Sequence, residues 1–252
     1  GDVSRFAEIA AELVRLKVDL IWADSAPALR AGYAATRTIP IVALDFTTDP
    51  VADGYAQSYS RPGGNVTGVF LDAPEFSGKW LELLKGMVPG LSRVAVLWDP
   101  SPGDAHLRAL QLIAPQFGVQ LQIVKVNRPE DIDGVGSLFR GRPQALIILP
   151  SPMMLAEGAR LAKLAMKQRL PATSAFRPSA EVGGLVAYGP EAVSIVDRGA
   201  VFVTNILRGA KPGDLPIERP TKFELIVNLK AAKALNLTIP DSVLARADKV
   251  IR

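Results

Sequence analysis

Short polar side chains recur in this sequence where apolar, strand-like segments end. Hydroxyl and carboxylate groups of this kind suit the binding of a small polar or zwitterionic molecule. The alternative for each residue is that it caps the helix that follows it. The positions are Asp24 and Ser25, Thr47, Thr48 and Asp49, Asp99 with Ser101 and Asp104, Ser151, Ser174, and Tyr188.

Few residues could support catalysis. The chain has no cysteine and a single histidine, His106, so thiol chemistry, disulfides and cysteine metal sites are excluded. A catalytic triad would have to pass through His106, which we interpret as an ordinary surface or capping histidine. The glycines form neither a nucleotide-binding motif nor a nucleophile elbow. No catalytic residue, metal site or cofactor is therefore predicted.

Two tryptophans lie at matching places in the pattern. Trp22 and Trp98 are each at or next to the end of a predicted strand. Facing each other, they could sandwich a planar ligand, and such stacking is worth about 0.5 to 1.5 kcal/mol beyond the area buried. Packing in the core is the alternative for both.

The composition limits the function classes. Apolar residues make up 48% of the 252 residues, enough for a sizeable core. The 29 basic and 25 acidic residues are interspersed, which argues against nucleic-acid binding. No apolar run approaches the roughly 20 residues of a membrane helix. The chain begins at Gly1 without a methionine, and we expect upstream sequence to be missing.

The elements that must position the polar residues alternate between strand and helix. Near-continuous apolar strands separated by helices predict an α/β fold with parallel sheets covered on both faces. Ligands bind beyond the carboxyl ends of such strands. The clearest predicted strands are 18–23, 40–46, 93–98, 119–126, 145–149 and 183–189.

One stretch interrupts this alternation. Residues Arg61–Phe70 combine a proline, a glycine pair and Asn65 before a short apolar segment. These residue types favour a change of chain direction. We interpret the stretch as a crossing between two lobes.

Several motifs resemble one family. They are Gly63–Gly68 after Asp49-Pro50-Val51, Val94–Pro100, Leu149–Pro152, Gly183–Leu185, Leu215–Leu225, and the ending from Asn228 to Asp248. Together they are similar to the ABC-transporter substrate-binding proteins of the tryptophan/tyrosine-binding type, over essentially the whole chain.

The resemblance implies a two-lobed, periplasmic-binding-protein-like fold with three crossings between the lobes. The crossings would lie near 66–70, 183–186 and 215–221. Lobe one would comprise 1–67 and 186–216, and lobe two 68–185 and 217–252.

The same resemblance implies where the ligand is held. The family's ligand loops fall on Ser25 and Ala26, Thr48 and Asp49, Asp99 with Asp104 and Ala105, Ser151, Ser174, and near Tyr188. Relatives commonly carry Asn at the positions of Asp99 and Asp104. Carboxylates there disfavour a ligand carboxylate nearby, which leaves a cationic or neutral solute open.

A second departure concerns the front of the chain. The strand, helix and strand with which family members begin are not found. Lobe one would then keep the strands 18–23, 40–46 and 183–189, with an open edge and an exposed apolar face. We expect a second copy of the chain, in a homodimer, to cover them.

The function implied is capture of a small organic solute, such as an aromatic amino acid, by the solute-binding component of an ABC importer. Hinge closure would hold the ligand without catalysis, an ABC permease would be the partner, and the location would be periplasmic or extracytoplasmic. The alternatives are a ligand-sensing module coupled to a regulatory partner and, with less support, an enzyme acting through Asp49, Asp99 or His106.

Overall fold

A computed structural model describes residues 5–71, 73–139 and 141–252, and the side chains of all of these except residues 73–76. The start of the chain, on which the expectation of missing upstream sequence rests, lies outside the described residues. The chain forms two compact units. The first comprises Gly1–Asp72, Ser101–Gly103 and Glu191–Lys222, and the second comprises Ala73–Pro100, Asp104–Pro190 and Phe223–Arg252.

Strands and helices alternate along most of the described chain, which confirms the predicted α/β class. The strands are β1 (Ile21–Ala23), β2 (Ile41–Asp45), β3 (Val66–Phe70), β4 (Arg93–Trp98), β5 (Gln120–Lys125), β6 (Ala145–Ile148), β7 (Ala172–Ser174), β8 (Val186–Pro190), β9 (Phe223–Asn228) and β10 (Lys249–Ile251). The α-helices are α1 (Phe6–Arg15), α2 (Ala26–Ala35), α3 (Ala73–Met87), α4 (Ala105–Ile113), α5 (Val135–Leu138), α6 (Pro152–Ala156), α7 (Gly158–Lys167), α8 (Arg177–Glu181), α9 (Ala192–Leu207), α10 (Leu229–Ala234) and α11 (Asp241–Leu244). In the described part of the chain, no helix is long and apolar enough to cross a bilayer.

The first unit is built on a parallel sheet with the strand order β1-β2-β3. Every residue of β2 and β3 is buried, because helices cover both faces of the sheet. Leu29 of α2 packs on one face with Ala43 and Phe70. Phe202 of α9 packs on the other face with Val42.

Gly68 explains how closely β2 and β3 approach each other. Its φ is 139°, and a Cβ at this position would lie 2.0 Å from the backbone oxygen of Ala43. Only glycine fits here. Residues 66–70, where we expected a crossing, form the buried strand β3, and the second unit begins shortly after it, at Ala73.

The second unit contains a sheet with the order β10-β9-β8-β7-β6-β4-β5. The assignment of residues 183–189 to the first lobe is wrong, because β8 pairs with β7 and β9 in this sheet. The third strand of the first unit is β3 instead.

One pair of strands departs from the predicted parallel arrangement. β8 and β9 are antiparallel, with Pro190 opposite Phe223. The chain leaves the second unit after Pro190 and re-enters it at Phe223. Because it returns at the edge where it left, β9 must run in the direction opposite to β8.

Candidate functional site

Ser25 lies at the carboxyl end of β1, immediately before α2. Its backbone is extended and its side chain makes no capping hydrogen bond to the helix. The Oγ atom is buried and has no hydrogen-bond partner among the described residues. Ala26 follows as the buried first residue of α2. The capping alternative therefore does not hold for Ser25.

Thr48 and Asp49 follow the neighbouring strand β2. Thr48 is buried and Asp49 is exposed. The Oδ1 atom of Asp49 accepts hydrogen bonds from the backbone N–H groups of Val51, at 2.9 Å, and Ala52, at 3.1 Å. One oxygen of this carboxylate thus holds the turn after β2, where the chain forms a turn rather than the helix that the capping alternative requires.

Asp45 is a residue of this edge that the sequence analysis missed. It is the last residue of β2 and is only 1% exposed. Its Oδ1 accepts from the backbone N–H of Thr47, at 2.8 Å, and from the Thr47 hydroxyl, at 3.0 Å. Its Oδ2 has no hydrogen-bond partner among the described residues. Burial raises the pKa of Asp45, and the neighbouring polar groups of Thr48 and Thr47 oppose that rise.

A recognisable signal for Asp45 is present in the sequence. The segment Pro40–Phe46 is apolar except for this one carboxylate, and a buried charged residue requires an explanation.

In the second unit, the strand register brings four predicted residues to one edge of the sheet. Leu97 pairs with Ile148, Ile148 with Ser174, and Ser174 with Ala187. The carboxyl ends of these parallel strands therefore lie side by side, about 4.8 Å apart from strand to strand. The residues at or just beyond these ends are Asp99, Ser151, Ser174 and Tyr188.

Two of these residues already make local hydrogen bonds. Ser151 is buried, and its Oγ caps α6 by accepting from the N–H of Met154 at 3.0 Å. The hydroxyl of Ser174 lies 3.4 Å from the backbone oxygen of Phe176. Ser174 also borders a recess with an interior of ≈ 10 Å³, which is about the space of one water molecule. That recess cannot hold an amino acid.

Asp99, Asp104 and Ala105 follow β4. Asp99 is buried. Asp104 precedes α4 without a side-chain capping bond, and its Oδ1 lies 3.2 Å from the guanidinium of Arg108 one turn later. Ala105 is the first residue of α4. The helix start thus carries a partly neutralised carboxylate.

Tyr188 is half-buried, and burial raises the pKa of its hydroxyl. Its ring stacks on Phe223 with 5.9 Å between the centroids. Its backbone oxygen accepts a hydrogen bond from the indole N–H of Trp80 at 3.0 Å. These contacts fix the backbone and the ring of Tyr188 at the end of β8.

The two predicted aromatic walls have different surroundings. Trp22 lies in β1 on the face covered by α9, and a Cβ built on Gly199 would lie 2.5 Å from its ring. Its alternative role as a packing residue is therefore the one that the contacts favour. Trp98 ends β4 half-buried, with the ammonium of Lys125 at 6.0 Å from its ring centroid.

His106 is not the surface or capping histidine that we expected. It is 3% exposed, and its Nδ1 lies 3.0 Å from the hydroxyl oxygen of Ser77. The described residues contain no group of three or more potential metal-binding side chains.

Comparison with known proteins agrees with this architecture. A sequence profile of the family described as ABC transporter substrate binding protein matches residues 1–251. A tyrosine-binding protein of Clostridioides difficile (strain R20291) is 26% identical over 241 residues, which are 94% of this chain and 68% of that protein.

Two solved structures share the fold. A conserved domain protein from Vibrio cholerae superimposes with a TM-score of 0.90 at 26% identity, covering 99% of this chain and 84% of that one. The ABC domain from Streptococcus pneumonia in complex with L-Trp also gives 0.90, at 24% identity, covering 100% of this chain and 85% of that one. The periplasmic-binding-protein-like architecture is thereby confirmed. Because the family profile matches nearly the whole length of the chain, this chain belongs to the ABC transporter substrate-binding proteins.

Proposed function

We propose that the chain is the solute-binding component of an ABC importer and binds a small organic solute, an aromatic amino acid or a related molecule. The observation that carries this proposal is the row of polar residues at the carboxyl edge of the second unit's sheet: Asp99, Ser151, Ser174 and Tyr188. Polar groups at such an edge suit a small polar ligand. The relatives supply the ligand class, since one is a tyrosine-binding protein and another holds L-Trp.

The first unit would supply the remaining ligand contacts. Ser25, Ala26, Thr48 and Asp49 lie at or beyond the carboxyl ends of β1 and β2. A ligand that contacts both units favours their closure only by its differential affinity for the closed state. Binding and release through hinge closure, without catalysis, is therefore the mechanism that we propose.

The partner and the location follow from the family. We propose that an ABC permease recognises the ligand-bound form, and that the protein works in the periplasm or another extracytoplasmic space.

A homodimer remains part of the proposal. In the first unit, α9 exposes Val193 at 68%, Val196 at 52% and Leu207 at 61%, and Trp22 of β1 is 38% exposed. Burial of these apolar side chains against a second copy would be favourable, at about 25 cal/mol per Å².

A thermal-shift titration tests the binding function. L-tryptophan, L-tyrosine and L-phenylalanine are added to the chain, with L-leucine and glycine as aliphatic controls. A ligand at 100 times its Kd adds about 2.7 kcal/mol to the free energy of unfolding, so the melting temperature should rise with the concentration of at least one aromatic amino acid. An unchanged melting temperature with every probe at millimolar concentration would overturn the proposal.

A further inference from the structure

Two buried polar atoms at the carboxyl edge of the first unit's sheet have no hydrogen-bond partner among the described residues. They are Oγ of Ser25 and Oδ2 of Asp45. A buried polar atom without a partner costs about 1 to 3 kcal/mol in stability. Such atoms therefore need an explanation, and a bound ligand group is one.

The register of the strands places the two residues on neighbouring segments of the chain. Ala23 of β1 pairs with Ala43 of β2, and Ser25 and Asp45 each come two residues later. Both are on the same face as those alanines, because residues two apart in an extended chain point to the same side. Phe70, the partner of Asp45 in β3, belongs to that face as well. The register thus brings Ser25 and Asp45 to one side of the same sheet edge.

Asp45 has no cationic partner in the described part of the chain. None of the described residues forms an ion pair with it, and Oδ1 is occupied by the two hydrogen bonds from Thr47. Of the groups on the same side, Arg30 donates to the backbone oxygen of Ser101 at 3.3 Å. Burial raises the pKa of Tyr55. The charge of Arg30 lowers that pKa, whereas the charges of Asp53 and Asp45 raise it. An unpaired carboxyl group in such a place favours a cation as its partner.

We propose that Ser25 and Asp45 form a subsite that binds the ammonium group of an amine-bearing solute. This inference rests on the proposed solute-binding function and names the group by which the ligand is recognised. An ammonium has three N–H donors and no acceptor. It can donate to Asp45 Oδ2 and to Ser25 Oγ together, which satisfies both atoms. A ligand carboxylate in the same place would face the carboxyl group of Asp45.

The competing explanation is that Asp45 only holds the turn after β2. Its bonds to Thr47 support that role, and its Oδ2 is shielded from solvent. The two explanations differ in what they predict for ligand choice. A turn-holding residue affects every ligand to the same degree, whereas an ammonium-binding residue affects only ligands that carry the amine. In our proposal the ligand reaches Oδ2 from the carboxyl edge, with local displacement of residues 46–49.

Matched ligand pairs separate these explanations by isothermal titration calorimetry. The pairs are L-tryptophan with indole-3-propanoate and L-tyrosine with 3-(4-hydroxyphenyl)propanoate, which differ only in the amino group. The wild-type chain should prefer the amine of a pair by about 10- to 100-fold, as expected for a charge-assisted hydrogen bond. Asp45→Asn should remove most of that preference and leave the Kd for the deamino compound within about threefold.

Two further variants complete the experiment. Asp19→Asn makes the same chemical change at an exposed residue before β1, at the opposite edge of the sheet, and should keep the wild-type preference. Ser25→Ala should lower the preference about 3- to 10-fold, and it decides the question if Asp45→Asn does not fold.

An amine preference that Asp45→Asn and Ser25→Ala both leave unchanged would overturn the subsite, although the chain would still be a solute-binding protein. Equal affinity of the wild-type chain for the two members of each pair would also overturn the subsite. Absence of binding to all four probes would instead remove the proposed function for aromatic solutes, and the subsite with it.

Discussion

Thr47 donates two hydrogen bonds to Asp45 through its backbone N–H and its hydroxyl, and both are accepted by the same carboxylate oxygen, at 2.8 and 3.0 Å. The other oxygen is left without a partner among the described residues. The burial of this unpartnered oxygen distinguishes Asp45 from the exposed Asp49, whose Oδ1 likewise accepts two hydrogen bonds and holds the next turn. It makes the carboxyl end of β2 both a structural turn and a candidate binding surface.

The stability of the protein should depend on the charge of Asp45. Burial raises the folded-state pKa of this carboxyl group, so the cost of ionising it is absent below the unfolded-state pKa of about 3.9. That cost grows as the pH rises toward the folded-state pKa and is constant above it. The free energy of unfolding of Asp45→Asn, relative to wild type, should therefore increase with pH over this window.

Urea denaturation of the two proteins at a series of pH values from about 3.5 to about 8 measures the difference. Asp19→Asn, which makes the same chemical change at an exposed position, serves as the control. A relative stability of Asp45→Asn that falls with rising pH would contradict the direction of the pKa shift.

Ser25 and Ser151 should respond differently to replacement by alanine. Ser151 caps α6 through the N–H of Met154, so Ser151→Ala should cost about 1 kcal/mol in the free energy of unfolding. Ser25 makes no capping bond and its buried Oγ has no partner among the described residues, so Ser25→Ala should keep or raise the free energy of unfolding, by up to about 1 to 3 kcal/mol, while it weakens ligand binding. Denaturation and calorimetry on both variants give the comparison. Equal losses of stability would show that Ser25 has a structural role that the contacts do not reveal.

Gly68 should not tolerate a side chain. A Cβ at this residue would meet the backbone oxygen of Ala43 at 2.0 Å, in a conformation with φ of 139°. Gly68→Ala should therefore cost about 3 kcal/mol or more, through strain combined with the clash. At Gly90, φ is also positive, at 66°, but a Cβ there would have nothing within 4 Å, so Gly90→Ala should cost only about 1 to 2 kcal/mol. Thermal melts of both variants test the close approach of β2 and β3.

The proposed homodimer predicts a solution mass of twice the 26.9 kDa of the chain. Light scattering coupled to size exclusion measures it. Val193→Glu combined with Val196→Glu places charges among the exposed apolar residues of α9 and should give a monomer. As a control, Leu112→Glu places a charge at a leucine of α4 in the second unit that is 78% exposed. This variant should remain a dimer. A wild-type chain that runs as a clean monomer and melts cooperatively would refute the dimer.

The fold class and the sheet edges where polar residues gather could be predicted from the sequence alone. Apolar runs such as Arg93–Trp98 and Ala145–Ile148 are recognisable as strands because burial on both faces demands a nearly continuous apolar segment. The positions of Asp99, Ser151 and Ser174 follow from where those runs end. The family follows from motifs distributed over the whole chain.

The sequence pattern was less informative about a break between two consecutive helices and about a very short strand. Between Pro152 and Lys167 the chain forms two helices, α6 and α7, separated by Glu157, and the apolar spacing of the sequence does not mark this break. The short strand β10 was not expected, because its three residues carry too little periodicity to be recognised.

Strand pairing and the satisfaction of buried polar atoms required the folded chain. The membership of β8 in the larger sheet and its antiparallel pairing with β9 depend on where a distant segment returns. His106 is buried against Ser77, rather than on the surface, for the same reason. In the sequence Asp45 is one residue in an apolar strand, and its unpartnered oxygen emerges only when β1, β2 and the turn after them are in place. Hydrogen-bond satisfaction depends on neighbours that are distant in sequence, so a one-dimensional pattern does not contain it.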